Sequence, residues 1–152
     1  EYKQEVISPK TAYLMVDMMR GVIRGGDGYN GTGVRLRNVY GIRQDIAGKT
    51  GTTQNSADNW FIAMTPHLVM GSWVGGEDRR IRFPTDRAYS IGQGARTALP
   101  IVGTFINFVT EDPLAYWSYD AFSPPAGFIM PEDPNENRSE MAGDNNKGTI
   151  GW

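Results

Sequence analysis

The sequence contains no cysteine and only one histidine, His67, among its 152 residues. The lack of cysteine excludes disulfides, zinc–thiolate sites and thiol nucleophiles. With a single histidine, a metal site built from several histidines is excluded too, and a Ser-His-Asp triad would depend on His67 alone. The residues therefore predict neither a bound metal nor a cofactor.

Long apolar runs and a surplus of basic residues are also missing. No apolar stretch approaches the ~20 residues needed to cross a bilayer. The 15 Lys and Arg residues are balanced by 17 Asp and Glu. A nucleic-acid partner usually requires a basic face, so this balance argues against one. What remains is a composition typical of a globular domain, with 39% hydrophobic residues, 19 Gly and 9 Pro.

Two helices are predicted, one near the start of the chain and one between the strands and the tail. The first begins at Ser8-Pro9, with serine as N-cap and proline in the first turn, and ends at Gly25-Gly26. Its methionines are expected to pack in the core; they are Met15, Met18 and Met19. The second helix is predicted from Thr97 to Thr110 and is ended by Asp112-Pro113.

Three strand-like runs lie between these helices: Asp45–Thr53, Trp60–Thr65 and Leu68–Gly75. The last two are joined by a short turn in which His67 is expected to be a solvated residue rather than a catalyst. Both parities of the second run are apolar, which predicts a sheet covered on both faces. The fold class expected is α+β, an antiparallel sheet flanked by helices.

The connecting segments carry weaker signals. Gly25–Gly41 contains a literal G-x-G-x-x-G, but a helix precedes it, so we interpret it as a loop rather than a phosphate site. Glu77–Tyr89 is charged and predicts a solvated connection. From Pro131 onward the composition is that of a disordered tail. We divide the chain into residues 1–124, one domain portion, and 125–152, a polar, flexible tail.

The stretch Lys49-Thr50-Gly51-Thr52-Thr53 carries the chemistry. Together with Trp60-Phe61, Gly71–Gly75 and Gly94–Pro100, it resembles the transpeptidase domain of class A (bifunctional) penicillin-binding proteins. The resemblance covers about Glu5 to Thr110. It implies a partial β-lactamase/transpeptidase-like fold, with only the later strands and the C-terminal helix.

This resemblance implies roles for the motif residues. Lys49 would place a positive charge beside the nucleophile, and the backbone N–H of Thr52 would supply one oxyanion donor. The hydroxyls of Thr50 and Thr52 would hold the substrate carboxylate, Gly51 would leave room at the strand edge, and Thr53 would also belong to the substrate-binding residues. Taken alone, Lys49 would be better explained as an exposed edge-strand lysine that discourages aggregation; the matching context favours the role in the site.

The family's other two motifs are absent. No serine has lysine three positions on, and Ser-x-Asn does not occur. The chain therefore resembles the C-terminal half of a transpeptidase domain, and we expect it to be inactive alone. Its polar start, without methionine, also indicates a piece of a longer protein. Such a piece would leave a free sheet edge and an uncovered apolar face, so it is expected to self-associate, to pair with the rest of its domain or to be supported by its own tail.

The parent implied by the resemblance is a peptidoglycan D,D-transpeptidase that cross-links stem peptides ending in D-Ala-D-Ala and is acylated by β-lactam antibiotics. It would carry a glycosyltransferase domain upstream, a membrane anchor and an extracytoplasmic catalytic part. Two alternatives stay open: a fragment of a serine β-lactamase-like hydrolase, or a non-catalytic peptidoglycan-binding or scaffold module.

Overall fold

The computed structural model describes residues 5–25, 30–85 and 91–131. Two helices, then three strands and then a third helix follow one another along this part of the chain, with a short 3₁₀ turn at Gln54–Ser56 between the first two strands. The elements are α1 (Pro9–Arg24), α2 (Arg35–Asn38), β1 (Ala47–Thr52), β2 (Asp58–Met64), β3 (Val69–Gly75) and α3 (Ala98–Glu111). Among the described residues, no helix is long and apolar enough to span a membrane.

Helix α1 begins and ends where its local chemistry requires. The Ser8 hydroxyl accepts a hydrogen bond from the backbone N–H of Thr11 at 3.2 Å, and Pro9 occupies the first helical position. At the other end, Gly25 has a φ of 72°, a conformation that glycine adopts without a steric penalty. The predicted limits of this helix are confirmed.

The methionines of α1 do not lie in the core. Met15 is 47% exposed and Met18 61% exposed, and Met19 is only half-buried. In α1, Ile23 is the residue that is fully buried. The expectation that the methionines pack in the core was wrong, because helical spacing shows which residues share a face but not whether that face is covered.

The three strands form an antiparallel sheet in the order β1–β2–β3. The register places Thr52 opposite Asn59, and Trp60 opposite both Gly51 in β1 and Trp73 in β3. The predicted strands and their α+β arrangement are confirmed. No strand among the described residues pairs with the outer edge of β1 or of β3, as expected for part of a larger sheet.

One side of the sheet, here called the core face, packs against α3. Phe61 and Ala63 are fully buried there, and the Ser72 hydroxyl donates to the carbonyl oxygen of Ala98 at 2.7 Å. The core is completed by Leu99, Val102 and Ile106 of α3. Three residues that precede β1 also belong to it: Leu36, Ile42 and Ile46. The second predicted helix is confirmed to within one residue at each end.

The other side of the sheet, here called the open face, is left largely uncovered by the residues that the structure describes. Trp60 and Trp73 are 45% and 46% exposed, and Val69 is more exposed still. Burial alternates along β2 and β3, so the expectation that both faces are covered was wrong for the described chain. The expectation of an uncovered apolar face was correct.

The segment after α3 turns back across the structure. Trp117 donates its indole N–H to Oε1 of Gln44 at 2.9 Å. The His67 ring lies 2.7 Å from the Asp120 carboxylate, an interaction that lowers the pKa of Asp120, and His67 is exposed in the β2–β3 turn as expected. Further along, the ring of Phe128 meets that of Tyr13 edge-on, with centroids 4.9 Å apart.

Several predicted segments fall partly or wholly outside the described residues. The literal glycine motif includes residues 26–29, the charged connection includes 86–90, and the tail includes 132–152. In the described part of Gly25–Gly41, a single helical turn, α2, interrupts the predicted loop. The division at residue 124 stays a prediction, although Phe128 shows that the chain just beyond it packs against α1.

Candidate active site

The outer edge of β1 presents free backbone groups. The N–H of Thr53 donates to the carbonyl oxygen of Asp58 at 3.0 Å, just beyond the paired strands. In an antiparallel pair, hydrogen-bonded and non-hydrogen-bonded positions alternate. The N–H and C=O groups of Thr50 and Thr52 therefore point away from β2, toward the edge where no described strand pairs.

The side chain of Lys49 is exposed and reaches this same edge. It starts on the open face, in register with Ile62, and its Nζ donates to the carbonyl oxygen of Thr50 at 2.8 Å. That carbonyl points outward from the sheet, so the ammonium lies beside the free edge. A positive charge and unpaired backbone donors are thus brought together over four residues of one strand.

The threonine hydroxyls lie on the core face, because successive side chains of a strand alternate. The Thr50 hydroxyl donates to Oγ1 of Thr32 at 2.9 Å. The Thr52 hydroxyl accepts from the N–H of Gly94 at 3.2 Å. Both hydroxyls are therefore fixed by groups from distant parts of the chain, while Thr52 itself stays exposed.

Thr53 has a different environment. Its hydroxyl accepts from the backbone N–H of Asp58 at 2.9 Å and also lies 3.3 Å from the carboxylate of that residue. These contacts hold the turn between β1 and β2, which contains two residues in the left-handed region, Asn55 and Ser56, with φ of 63° and 54°. Thr53 thus fixes the end of the motif strand.

Two glycines allow the chain to pack tightly around the motif. A Cβ on Gly51 would lie 3.1 Å from the Cβ of Trp60, its cross-strand neighbour. A Cβ on Gly94 would lie only 2.6 Å from the carbonyl oxygen of Gly51, so any side chain at Gly94 would push the loop away from β1. Glycine at position 94 therefore lets its N–H reach Thr52.

These elements enclose a polar cleft of about 320 Å³ on the core-face side of β1. The lining residues that carry hydroxyls are Thr32, Thr50, Thr52, Ser56 and Thr85. None of the described residues that line it carries a carboxylate or ammonium group. The described lining is therefore uncharged and rich in hydroxyl groups, next to the ammonium at the strand edge.

Asp45 holds the segment that leads into β1. Oδ1 accepts from Nε of Arg20 at 2.8 Å and from Arg24 at 2.6 Å, and Oδ2 accepts from the backbone N–H of Phe122 at 3.1 Å. Burial alone would raise the pKa of Asp45, but these hydrogen bonds and the two guanidinium charges outweigh it and bring the pKa below its usual value. One carboxylate thus ties α1, β1 and the returning segment together.

The sequence indicated the motif strand but not the groups that hold its side chains. Thr32 and Gly94 contact the motif hydroxyls from 18 and 42 residues away. The only local signal for Thr32 is its position between Gly31 and Gly33, where glycines on both sides indicate a close backbone approach.

Comparison with known proteins identifies the family. Residues 1–75 match the model of the penicillin-binding protein transpeptidase domain. The chain is 35% identical over 125 residues to penicillin-binding protein 1A of Vibrio cholerae, covering 73% of this chain and 15% of that protein. It is 30% identical over 143 residues to penicillin-binding protein 1A of Pseudomonas aeruginosa, covering 92% of this chain and 15% of that protein.

The fold agrees with a solved structure. The crystal structure of penicillin-binding protein 1A from Haemophilus influenzae superposes with a TM-score of 0.63 and 30% identity, over 82% of this chain and 18% of the other. The chain thus spans about 15% of the length of the curated relatives it matches. The match of motif, sheet and sequence leads to one conclusion: the chain belongs to the penicillin-binding protein transpeptidase family.

Proposed function

We propose that this chain forms one wall of the active site of a peptidoglycan D,D-transpeptidase that works through an acyl-serine intermediate. The observation that carries the proposal is the free outer edge of β1, where Lys49 and the outward N–H groups of Thr50 and Thr52 lie together. An extended peptide can add to such an edge as a further strand, its main chain paired with the unpaired N–H and C=O groups.

In the proposed reaction, the serine hydroxyl attacks the carbonyl carbon of the penultimate D-Ala of a stem peptide. The N–H of Thr52 stabilises the oxyanion that forms, and the Lys49 ammonium stabilises negative charge at the nucleophile and the substrate carboxylate. The terminal D-Ala leaves with a proton on its amine, and an ester remains on the serine. The amine of a second stem peptide then attacks the ester, forms the cross-link and releases the serine.

The substrate carboxylate is assigned to the hydroxyl cleft. Thr50 and Thr52 face it from β1, and Gly51 is proposed to leave the strand edge unobstructed for the substrate. The proposed ligands are stem peptides ending in D-Ala-D-Ala and β-lactams, whose ring carbonyl and carboxylate stand in for the same groups. Thr53 takes part by holding the end of the strand.

The serine must come from another part of the protein. No serine of this chain is followed by lysine three positions on, and the matched relatives are several times longer. We propose that this remaining part supplies the nucleophile and covers the open face of the sheet. We also propose that the parent acts outside the cytoplasm, is anchored in the membrane and carries a glycosyltransferase domain.

The proposal is tested by mass spectrometry of the intact protein after exposure to benzylpenicillin. A chain extended upstream through the whole domain is expected to gain one benzylpenicillin mass, whereas residues 1–152 alone gain none. A rapid hydrolysis of the antibiotic without a stable adduct would favour a β-lactamase-like hydrolase. Neither adduct nor hydrolysis on the longer chain would contradict the proposal and favour a non-catalytic binding module.

A further inference from the structure

The turn Gly31–Gly33 is clamped against the end of α1. The N–H of Gly33 donates to the carbonyl oxygen of Val22 at 3.0 Å. A Cβ on Gly31 would overlap that carbonyl group, and a Cβ on Gly33 would lie 2.6 Å from the side chain of Ile23. Glycine at position 31 is thus required for this approach and Gly33 leaves room for Ile23, so Thr32 projects from a turn that is held against α1.

Thr32 is the acceptor for the Thr50 hydroxyl, with 2.9 Å between the two Oγ1 atoms. A threonine hydroxyl has one proton to donate. With the Thr50 proton directed at Thr32, the proton that remains for a ligand is that of Thr32 itself. Thr52 accepts from the N–H of Gly94, so its own proton also remains available. Both Thr32 and Thr52 line the cleft.

We infer that Thr32 is a further binding residue for the substrate carboxylate: it orients Thr50 by accepting its proton and donates its own proton to the ligand in the cleft. This inference rests on the proposed function and changes one part of it: Thr32, from outside the motif strand, replaces Thr50 as a donor to the carboxylate, because the Thr50 proton is directed at Thr32. The ligand class is an anion with carboxylate geometry, bound by paired hydroxyl donors at Thr32 and Thr52.

The test uses the longer chain that contains the nucleophile, in three variants: Thr32→Val, which keeps the shape but removes the hydroxyl, Thr32→Ser, which restores it, and Thr104→Val. Thr104 is exposed on α3 and has no side-chain hydrogen bond among the described residues, so it serves as the matched control. The second-order rate of acylation is measured with benzylpenicillin and with its methyl ester, which has no carboxylate charge.

With benzylpenicillin, Thr32→Val is expected to slow acylation about 5- to 10-fold through weaker initial binding, the effect of about one lost hydrogen bond. Thr32→Ser and Thr104→Val should stay within about twofold of the wild type. With the methyl ester, Thr32→Val and the wild type should react at similar rates. A purely structural role would instead slow both ligands equally.

The outcomes separate the two proposals. If the wild type is acylated and Thr32→Val reacts with benzylpenicillin at the same rate, the role of Thr32 is overturned and the transpeptidase assignment stands. An equal loss with both ligands also overturns it. If the wild type itself is not acylated, the proposed function fails and the inference fails with it.

Discussion

Ser72 in β3 and Ala98 at the start of α3 are joined by a hydrogen bond of 2.7 Å from the serine hydroxyl to the alanine carbonyl oxygen. Both residues are buried, and this bond links the sheet directly to the helix that covers it. The sequence shows a serine in an otherwise apolar strand, but only the register places it on the core face. The Ser72 hydroxyl therefore makes its hydrogen bond in the interior rather than on the exposed face of the sheet.

We expect Ser72→Ala to lower the free energy of unfolding by about 1–2 kcal/mol, because the buried hydrogen bond is lost and little volume changes. Chemical denaturation of the chain measures this. Ser123→Ala, at an exposed position after α3, is the control and should have little effect. An equal effect of the two changes would show that the bond does not stabilise the contact between the sheet and α3.

The lowered pKa of Asp45 predicts that the folded chain loses stability at acid pH. Its pKa is lowered in the folded chain, so its contribution is fully present above the unfolded pKa of about 3.9 and is lost as the pH falls through the lower, folded pKa. At neutral pH, Asp45→Asn is expected to cost about 2 kcal/mol, because it weakens the bonds from Arg20 and Arg24. Thermal unfolding between pH 2 and 7 measures both effects.

The control for this experiment is Glu111→Gln, at the exposed end of α3. It should leave the pH profile close to that of the wild type. The cost of Asp45→Asn should shrink toward low pH, since the wild-type carboxyl is then protonated as well. A cost that stays constant down to pH 2 would mean that the charge of Asp45 does not matter for folding.

Asn59, opposite Thr52, is fully buried, and its two amide atoms have no hydrogen-bond partner among the described residues. Asn59→Ala therefore breaks no such bond and is expected to change the unfolding temperature little or to raise it. Asn59→Asp should cost about 3 kcal/mol or more, since it places a charge in the interior. The exposed change Asn38→Asp is the control. Tolerance of Asn59→Asp equal to that of Asn38→Asp would contradict the buried position.

The open face predicts self-association of the isolated chain. Trp60 and Trp73 expose large apolar surfaces beside each other, with ring centroids 6.4 Å apart. In sedimentation velocity, the double change Trp60→Ser, Trp73→Ser is expected to shift the chain toward the monomer. Tyr116→Ser removes a still more exposed aromatic ring elsewhere and should not. Unchanged association in the double variant would place the contact on another surface.

Local chemistry made much of the fold predictable. The serine cap, the proline and the terminal glycine determined α1 to within a residue, because each acts on its immediate neighbours. The motif strand was also predictable from its own residues, including the face that Lys49 occupies relative to Thr50. Alternation along a strand needs no knowledge of the rest of the molecule.

What the sequence did not show depends on contacts between distant residues. The bond between Thr32 and Thr50 and the bond from Phe122 to Asp45 join residues that only the folded chain brings together. The exposure of Met15 and Met18 depends on which surfaces of α1 are covered by other elements. The hydrophobic pattern of a helix is the same whether its apolar face is covered or exposed. These are properties of packing rather than of local sequence.

The central claim is that the outer edge of β1 is the substrate strand of a transpeptidase site, and Lys49 tests it most directly. The measurement is the second-order rate of acylation by benzylpenicillin in the longer chain, for Lys49→Ala and for the exposed control Lys10→Ala in α1. Lys49→Ala should react at about one-hundredth of the wild-type rate or below, as expected for the loss of one preorganised electrostatic group. Lys10→Ala should react at the wild-type rate. Acylation of Lys49→Ala at the wild-type rate would contradict the account.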